Sequence, residues 1–221
     1  RPRLVRNALR SVKAQTTDNW HLAFIDDGSR APGEPIARAI LPGDRVTYYE
    51  SDDSIATKER QVGSRHGALM NQAIAESTAE LAIMLCDDDA LVDTYCADLD
   101  RYFSEHEEHM YAYCHVRTFD PTKEQPTPAV GKRAHLHNYT YALMPSCVID
   151  ASQVAWRTRA NREDNVWFPS PCTLDIDARF FERMSERYGR CPFMGCDGLY
   201  KAVFEDQLGQ RKSTPYAVRI P

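Results

Sequence analysis

Leu81-Ala82-Ile83-Met84-Leu85-Cys86-Asp87-Asp88-Asp89-Ala90-Leu91 decides how this chain is read: a short apolar run stops abruptly at three consecutive carboxylates. The run has the length of a strand and is apolar on both faces, which predicts a central strand covered on both sides. Alternate strand residues share a side, so Asp87 and Asp89 are expected together, about 6–7 Å apart at Cα, with Asp88 pointing the other way. Like charges about 4 Å apart repel by roughly 4 kcal/mol at an effective dielectric of 20, so carboxylates gathered there require a cation, a proton or bound donors. In open α/β sheets ligands sit outside the carboxyl ends of the strands. A hard divalent cation holding a phosphate suits such a rim. The plainer reading is a solvated acidic turn capping a helix that starts near Val92.

Upstream, Gly67 to Ala75 is helical by composition and spacing, and Ser77 to Glu80 delivers the chain to the strand. The polar stretch Ser51 to Arg65 reads as a loop. Trp20 to Ile25 reads as a second strand, and it too ends in acids, Asp26-Asp27-Gly28-Ser29. A short helix over Pro35 to Leu41 separates it from a third strand at Arg45 to Tyr49. Leu4, Val5, Ala8, Leu9 and Val12 recur at i, i+3/i+4 and predict an amphipathic helix to about Gln15. Strands alternating with helices predict a layered α/β domain, its sheet mostly parallel and helices on both faces. Two strands ending in acids put both clusters on one rim of that sheet.

Downstream the pattern is less regular. Thr94 to Glu108 reads as a helix with Cys96, Leu99 and Phe103 on one face, and Met110 to Val116 as a strand. Asp120 to Gly131 is a loop, and Ala142 to Ile149 a further strand. Trp156 to Asp164 reads as an arginine-rich loop. A helix opens at Asp175-Ile176-Asp177 and stops at Gly189. Residues 190–221 read as short strands and loops, with a helical possibility near Leu199.

With 221 residues the chain is long enough for a sizeable core, and it reads as a single domain. Its 27 basic and 32 acidic residues give a net charge of −5, no general pull toward nucleic acid or anionic membrane. No apolar run approaches the roughly 20 residues of a membrane span, and no signal-peptide pattern opens the sequence. The seven cysteines include no C-x-x-C pair. Reduced thiols in a cytoplasmic protein are expected rather than a disulfide framework, although Cys191 and Cys196 are near enough in sequence to bridge.

Several motifs resemble those of a known family. Arg1 to Gln15, "FIDDGS" at 24–29, "GALMNQAIAESTAELAIMLCDDDAL" at 67–91 and "LDIDARFFERMSERYG" at 174–189 are similar, in order, to segments of family 2 glycosyltransferases of the GT-A fold. The resemblance spans nearly the whole chain. It places the family's first strand ahead of Arg1, and it implies a nucleotide-sugar half at 1–93 and an acceptor half at 94–221. Departures are Met70 where an arginine is usual, Leu174 where a glutamate precedes the base, and no clear late histidine; Glu205 stands near its place.

The resemblance implies a UDP- or GDP-sugar donor and an acceptor hydroxyl, with Mn²⁺ or Mg²⁺ neutralising the diphosphate. Asp89 is then the metal ligand and Asp87 the acceptor of a ribose hydroxyl, with Asp88 beside them. Asp26 or Asp27 accepts a hydrogen bond from the base, as a carboxylate can from an imide N–H; Asp27 is expected to form the turn and Asp26 to meet the base. Arg65, like Lys58, Arg60 and His66, is placed to reach the phosphates, and Gly67 allows close backbone approach. Asp175 is the expected general base of an inverting transfer, opening a helix whose positive end keeps it ionised. Asp177 and Asp197 are the other candidates. Trp156, Trp167, Tyr139 and Tyr141 are either sugar-stacking surfaces or core. His135 and His137 lack a third ligand. The rival readings are a nucleotidyltransferase, and a non-catalytic nucleotide- or carbohydrate-binding domain on the same fold.

Overall fold

A computed structural model of the chain describes residues 2–29, 33–51, 66–122, 126, 132–133, 141–142, 149–169 and 176–203. Helix α1 (Pro2–Lys13) buries Ala8, Leu9 and Val12, as its periodicity requires, and carries Arg10 and Lys13 in the last turn, where cations oppose the helix dipole. Strand β1 (Leu22–Asp26), helix α2 (Glu34–Ile40), strand β2 (Val46–Glu50) and helix α3 (His66–Glu76) follow. Next come β3 (Leu81–Ile83), β4 (Ala90–Leu91), α4 (Tyr95–Glu105), β5 (Tyr111–Phe119) and the short β6 (Lys132–Arg133) and β7 (Tyr141–Ala142). The chain then forms β8 (Val154–Arg157), α5 (Arg159–Arg162), α6 (Ile176–Tyr188) and β9 (Cys191–Ala202).

Among the described residues these strands form two sheets. β1 and β2 make a parallel pair, and the larger sheet runs β3-β8-β5-β9-β4, with β6 on β5 and β7 on β9. The layered α/β expectation holds, and alternate residues of β5 show the layering. Tyr111 and Tyr113 enter a core with Met70 and Ile74 of α3 and Phe180 and Met184 of α6. Ala112, Cys114 and Val116 enter a core with Leu9 of α1, Ala37 of α2 and Leu99 of α4. Helices therefore cover both faces. In the first core Phe168 stacks on Phe180 at 4.0 Å, and Trp156 meets Phe180 edge-on at 5.2 Å. Each such pair contributes about 0.5–1.5 kcal/mol beyond burial.

Several expectations are corrected. The sheet is mixed, not mostly parallel: β5–β9 is parallel, whereas β3–β8, β5–β8 and β4–β9 are antiparallel. β8 inserts between β3 and β5 in the opposite sense, a pairing that local hydrophobic pattern does not specify. β3 covers only Leu81–Ile83 and lies at one end of this order, with each residue half-buried, so it is not the fully covered central strand expected. Trp156 to Asp164 is strand and helix rather than loop. Residues 191–202 are one long strand with no helical turn at Leu199. The β5–β9 register shifts twice, between Phe193 and Asp197 and between Asp197 and Leu199, and Gly195 within the first has a left-handed φ of 79°. At Gly198 a Cβ would stand 2.4 Å from Cys114 Sγ and 2.5 Å from Tyr95 Cε2, so α4 approaches β9 only because this residue has no side chain. Cys191 and Cys196 are both free thiols.

Candidate active site

β1 and β3 both start beside one wide cleft of about 1180 Å³, whose walls include Trp20, His21, Thr47, Glu80, Phe103 and Arg157. Neither the Asp26-Asp27 turn nor the Asp87-Asp88-Asp89 turn lines this cleft.

At the end of β1, Asp26 is buried and its carboxylate closes the turn. Oδ1 accepts from the Ser29 N–H at 2.7 Å and Oδ2 from the Gly33 N–H at 3.2 Å. Asp27 follows, half-buried, and Gly28 takes φ 73° to turn the chain. The turn role thus lies with Asp26, the reverse of the assignment expected from sequence.

Beyond β3 the backbone leaves the extended form. The Asp89 N–H donates to Cys86 O at 3.2 Å, and Asp87-Asp88 form the turn. Strand alternation no longer applies: Asp87 is exposed, while ligand atoms of Cys86, Asp88 and Asp89 lie within 4.8 Å of one another. Asp89 is only 1% exposed. Its Oδ1 accepts from the Ala202 N–H at 3.3 Å, and its Oδ2 lies 3.2 Å from the Ser152 hydroxyl and 3.6 Å from Lys201 Nζ. Lys201 also reaches Asp150 Oδ2 at 2.6 Å. Burial pushes the Asp89 carboxyl up to about 7, against the pull of Lys201. Burial also pushes the Cys86 thiol up to about 12, so it stays protonated at neutral pH. Asp89 and Asp150 hold the Lys201 ammonium charged, raising its pKa against the cost of burial.

The acid turn is fixed from behind. Gln15, buried just after α1, donates through Nε2 to Val92 O at 2.8 Å and accepts from the Cys96 N–H at 2.9 Å. Ser11 Oγ accepts from the Leu91 N–H at 2.9 Å. The residues immediately after the carboxylates are thus fastened to the first helix.

α3 begins at His66 with Gly67 buried behind it. Burial lowers the His66 pKa, and the Asp27 and Asp177 carboxylates act in the other direction, which puts the end of β1 and the first turn of α6 near one imidazole. Asn71 of α3 exchanges hydrogen bonds of 2.9 and 3.0 Å with the Phe168 backbone, holding the segment that leads toward α6. Asp175 and Arg65 lie outside the described residues, as do Lys58, Arg60, His135, His137, Tyr139 and Glu205. Asp197 accepts from Arg117 at 2.6 Å within the β5–β9 pair. Trp156 is core, its Nε1 donating to Asn161 at 3.0 Å.

Sequence reasoning missed Lys201, Asp150, Ser152 and Cys86. Signals existed: Lys201 is the lone charge in the apolar run Gly198 to Val203, and Asp150-Ala151-Ser152-Gln153 spells a capping box, which the structure forms.

The glycosyl transferase family 2 model matches residues 1–170. The chain belongs to that family. Structures of S. aureus TarS share the fold of this family 2 chain. A TarS structure superposes with a TM-score of 0.64 at 15% identity, covering 90% of this chain and 34% of TarS. TarS 1-349 in complex with UDP-GlcNAc gives 0.59 at 14% identity, covering 92% of this chain and 56% of that one. TarS 1-349 with UDP gives 0.60 at 14%, with 90% and 56% covered. The chain thus spans between about a third and just over half of these structures, and the GT-A architecture is what they share.

Proposed function

We propose that this domain transfers a sugar from a nucleotide-diphosphate donor, of the UDP class or its GDP counterpart, to an acceptor hydroxyl with inversion. The observation that carries this reading is the gathering of carboxylates in a family 2 chain: His66 at the start of α3 lies within electrostatic reach of Asp27 and Asp177, and Asp88 and Asp89 cluster with Cys86. The TarS neighbours bound to UDP and UDP-GlcNAc support a uridine donor.

In this reading residues 1–93 hold the donor and 94–221 the acceptor. Asp27 accepts from the base while Asp26 fixes the turn, and the exposed Asp87 accepts a ribose hydroxyl. Asp88 faces the diphosphate side, with Asp89 behind it. The donor set fits a hard Mn²⁺ or Mg²⁺ through Asp88, because its carboxylate is half-exposed whereas the Cys86 thiol keeps its proton. Asp89 lies behind Asp88, its oxygens already facing Ser152, Ala202 and Lys201. When bound, the ion stabilises charge developing on the departing nucleoside diphosphate. Gly67 admits the donor backbone-close, with Arg65 and His66 beside the phosphates. Asp175 takes the acceptor proton as the hydroxyl attacks the anomeric carbon, kept ionised by the start of α6. Asp197 is less suited to that role, because an arginine-bound carboxylate is a weak proton acceptor. No helix among the described residues is long and apolar enough to cross a membrane. The free thiols Cys86, Cys96, Cys114, Cys191 and Cys196 support a cytoplasmic setting.

The test is product analysis with UDP-sugar and Mn²⁺. Release of UDP supports glycosyl transfer. Release of UMP or pyrophosphate assigns a nucleotidyltransferase. Tight binding with no product assigns a binding domain.

A further inference from the structure

α4 ends and the chain turns through His106-Glu107-Glu108-His109 before entering β5. His106 Nδ1 stands 3.5 Å, and His109 Nε2 3.4 Å, from the same oxygen, Glu108 Oε1. One ligand atom from each of the three residues lies within 4.8 Å of the others. Bonds of about 2.0–2.1 Å in tetrahedral array place neighbouring ligand atoms roughly 3.3–3.4 Å apart, close to the two histidine–glutamate separations.

A pair of ordinary ion pairs is the competing account, and it requires charged imidazoles. The two rings stack with centroids 5.0 Å apart, an arrangement that suits neutral imidazoles better than two cations. Tyr102 Oη lies 2.9 Å from His109 Nδ1 and fixes the ring so that Nε2 faces Glu108. Metal-bound histidines characteristically carry such a partner on the other nitrogen. The turn is also rigid: Arg157 donates to His109 O at 3.0 Å and to His106 O at 3.3 Å, and the His109 N–H donates to His106 O at 3.1 Å. The ligands are preorganised, and Glu108, 68% exposed, leaves solvent access.

We propose that His106, Glu108 and His109 form a binding site for a divalent transition-metal ion of the Zn²⁺ class, with solvent completing the coordination. Two imidazole nitrogens and one carboxylate oxygen select Zn²⁺ over Mg²⁺ or Ca²⁺, which favour all-oxygen sets. The site pins the α4–β5 turn and is independent of the donor-site reading, so either can fail alone.

The experiment titrates Zn²⁺, with Co²⁺ as spectroscopic stand-in, into four proteins: wild type, Asp88→Asn, Tyr102→Phe and the double variant His106→Gln/His109→Gln. Wild type and Asp88→Asn should each take up one ion at this site, giving a tetrahedral Co²⁺ absorption without a thiolate charge-transfer band. The double variant should lose that ion, and Tyr102→Phe should bind about 10–100-fold more weakly. In wild type alone, Zn²⁺ should move the ring ¹⁵N resonances of His106 and His109, a readout that does not depend on any variant folding. Unmoved histidine resonances, or a double variant binding Zn²⁺ as tightly as wild type, would overturn the proposal.

Discussion

Replacing Asp26 by asparagine separates the two roles a carboxylate can have at the end of β1. In the structure its oxygens accept from Ser29 N–H at 2.7 Å and Gly33 N–H at 3.2 Å, in a buried position. Asparagine keeps one acceptor and turns an NH₂ toward the other N–H. One hydrogen bond to a charged group is lost, about 1.5–3 kcal/mol. For a domain of this size each kcal/mol shifts Tm by about 2–4 °C, so Asp26→Asn should lower Tm by roughly 3–12 °C. Asp27→Ala leaves both Asp26 hydrogen bonds in place and should lower Tm less than Asp26→Asn does. If Asp27 accepts from the base, the same change should weaken UDP binding about ten- to a hundredfold. Thermal unfolding and calorimetry with UDP measure both. An unchanged Tm for Asp26→Asn together with lost UDP binding would refute the assignment and return Asp26 to the nucleotide.

The remaining expectations address the acid turn and the base. Asp88→Asn should abolish the Mn²⁺-dependent part of UDP binding, measured by calorimetry with and without EDTA; equal affinity in wild type under both conditions removes the metal from the mechanism. Lys201→Met leaves Asp89 and Asp150 without their ammonium; breaking a buried pair costs about 3–5 kcal/mol, and partial exposure of Lys201 reduces this to about 2–4. The Asp89 carboxyl binds its proton more tightly folded, at about 7, than at its ordinary 3.8, so its contribution to stability is present below the lower value and lost as pH rises through the upper. Without Lys201 that loss deepens, and urea midpoints in EDTA should fall further near pH 8 than near pH 5. Asp175→Asn should leave UDP affinity intact and cut turnover by about 10²–10⁴, whereas a residue that only caps α6 would leave turnover unchanged.

Much of the fold was legible because the elements concerned are amphipathic over several turns. α1, α4 and α6 fall within a few residues of their expected spans, and Leu9, Leu99 and Phe103 are buried as the spacing predicts. What was not legible depends on partners distant in sequence. Arg157 looked like a loop arginine, yet it ends a strand and holds the carbonyls of Phe103, His106 and His109. β9 was expected as short strands and loops, yet Gly195 and Gly198 lie inside one strand. Their reasons there are a register shift and the packing of Tyr95, and neither can be read without β5 and α4 in place.

The acid turn shows the same limit at the site itself. Alternation pairs Asp87 with Asp89 only if the strand continues, and a ladder would force the carboxylates of a buried strand into apolar layers without donors. The backbone instead turns after Leu85, exposing Asp87 and folding Asp88 back beside Asp89 and Cys86. Asp89 can then be buried, because the Ser152 hydroxyl, the Ala202 N–H and the Lys201 ammonium surround it. Those partners come from the turn just before β8 and the end of β9, more than sixty residues away at the nearest. Three adjacent aspartates therefore have three different environments, and the burial of Asp89 is set by the distant lysine and serine rather than by the triplet.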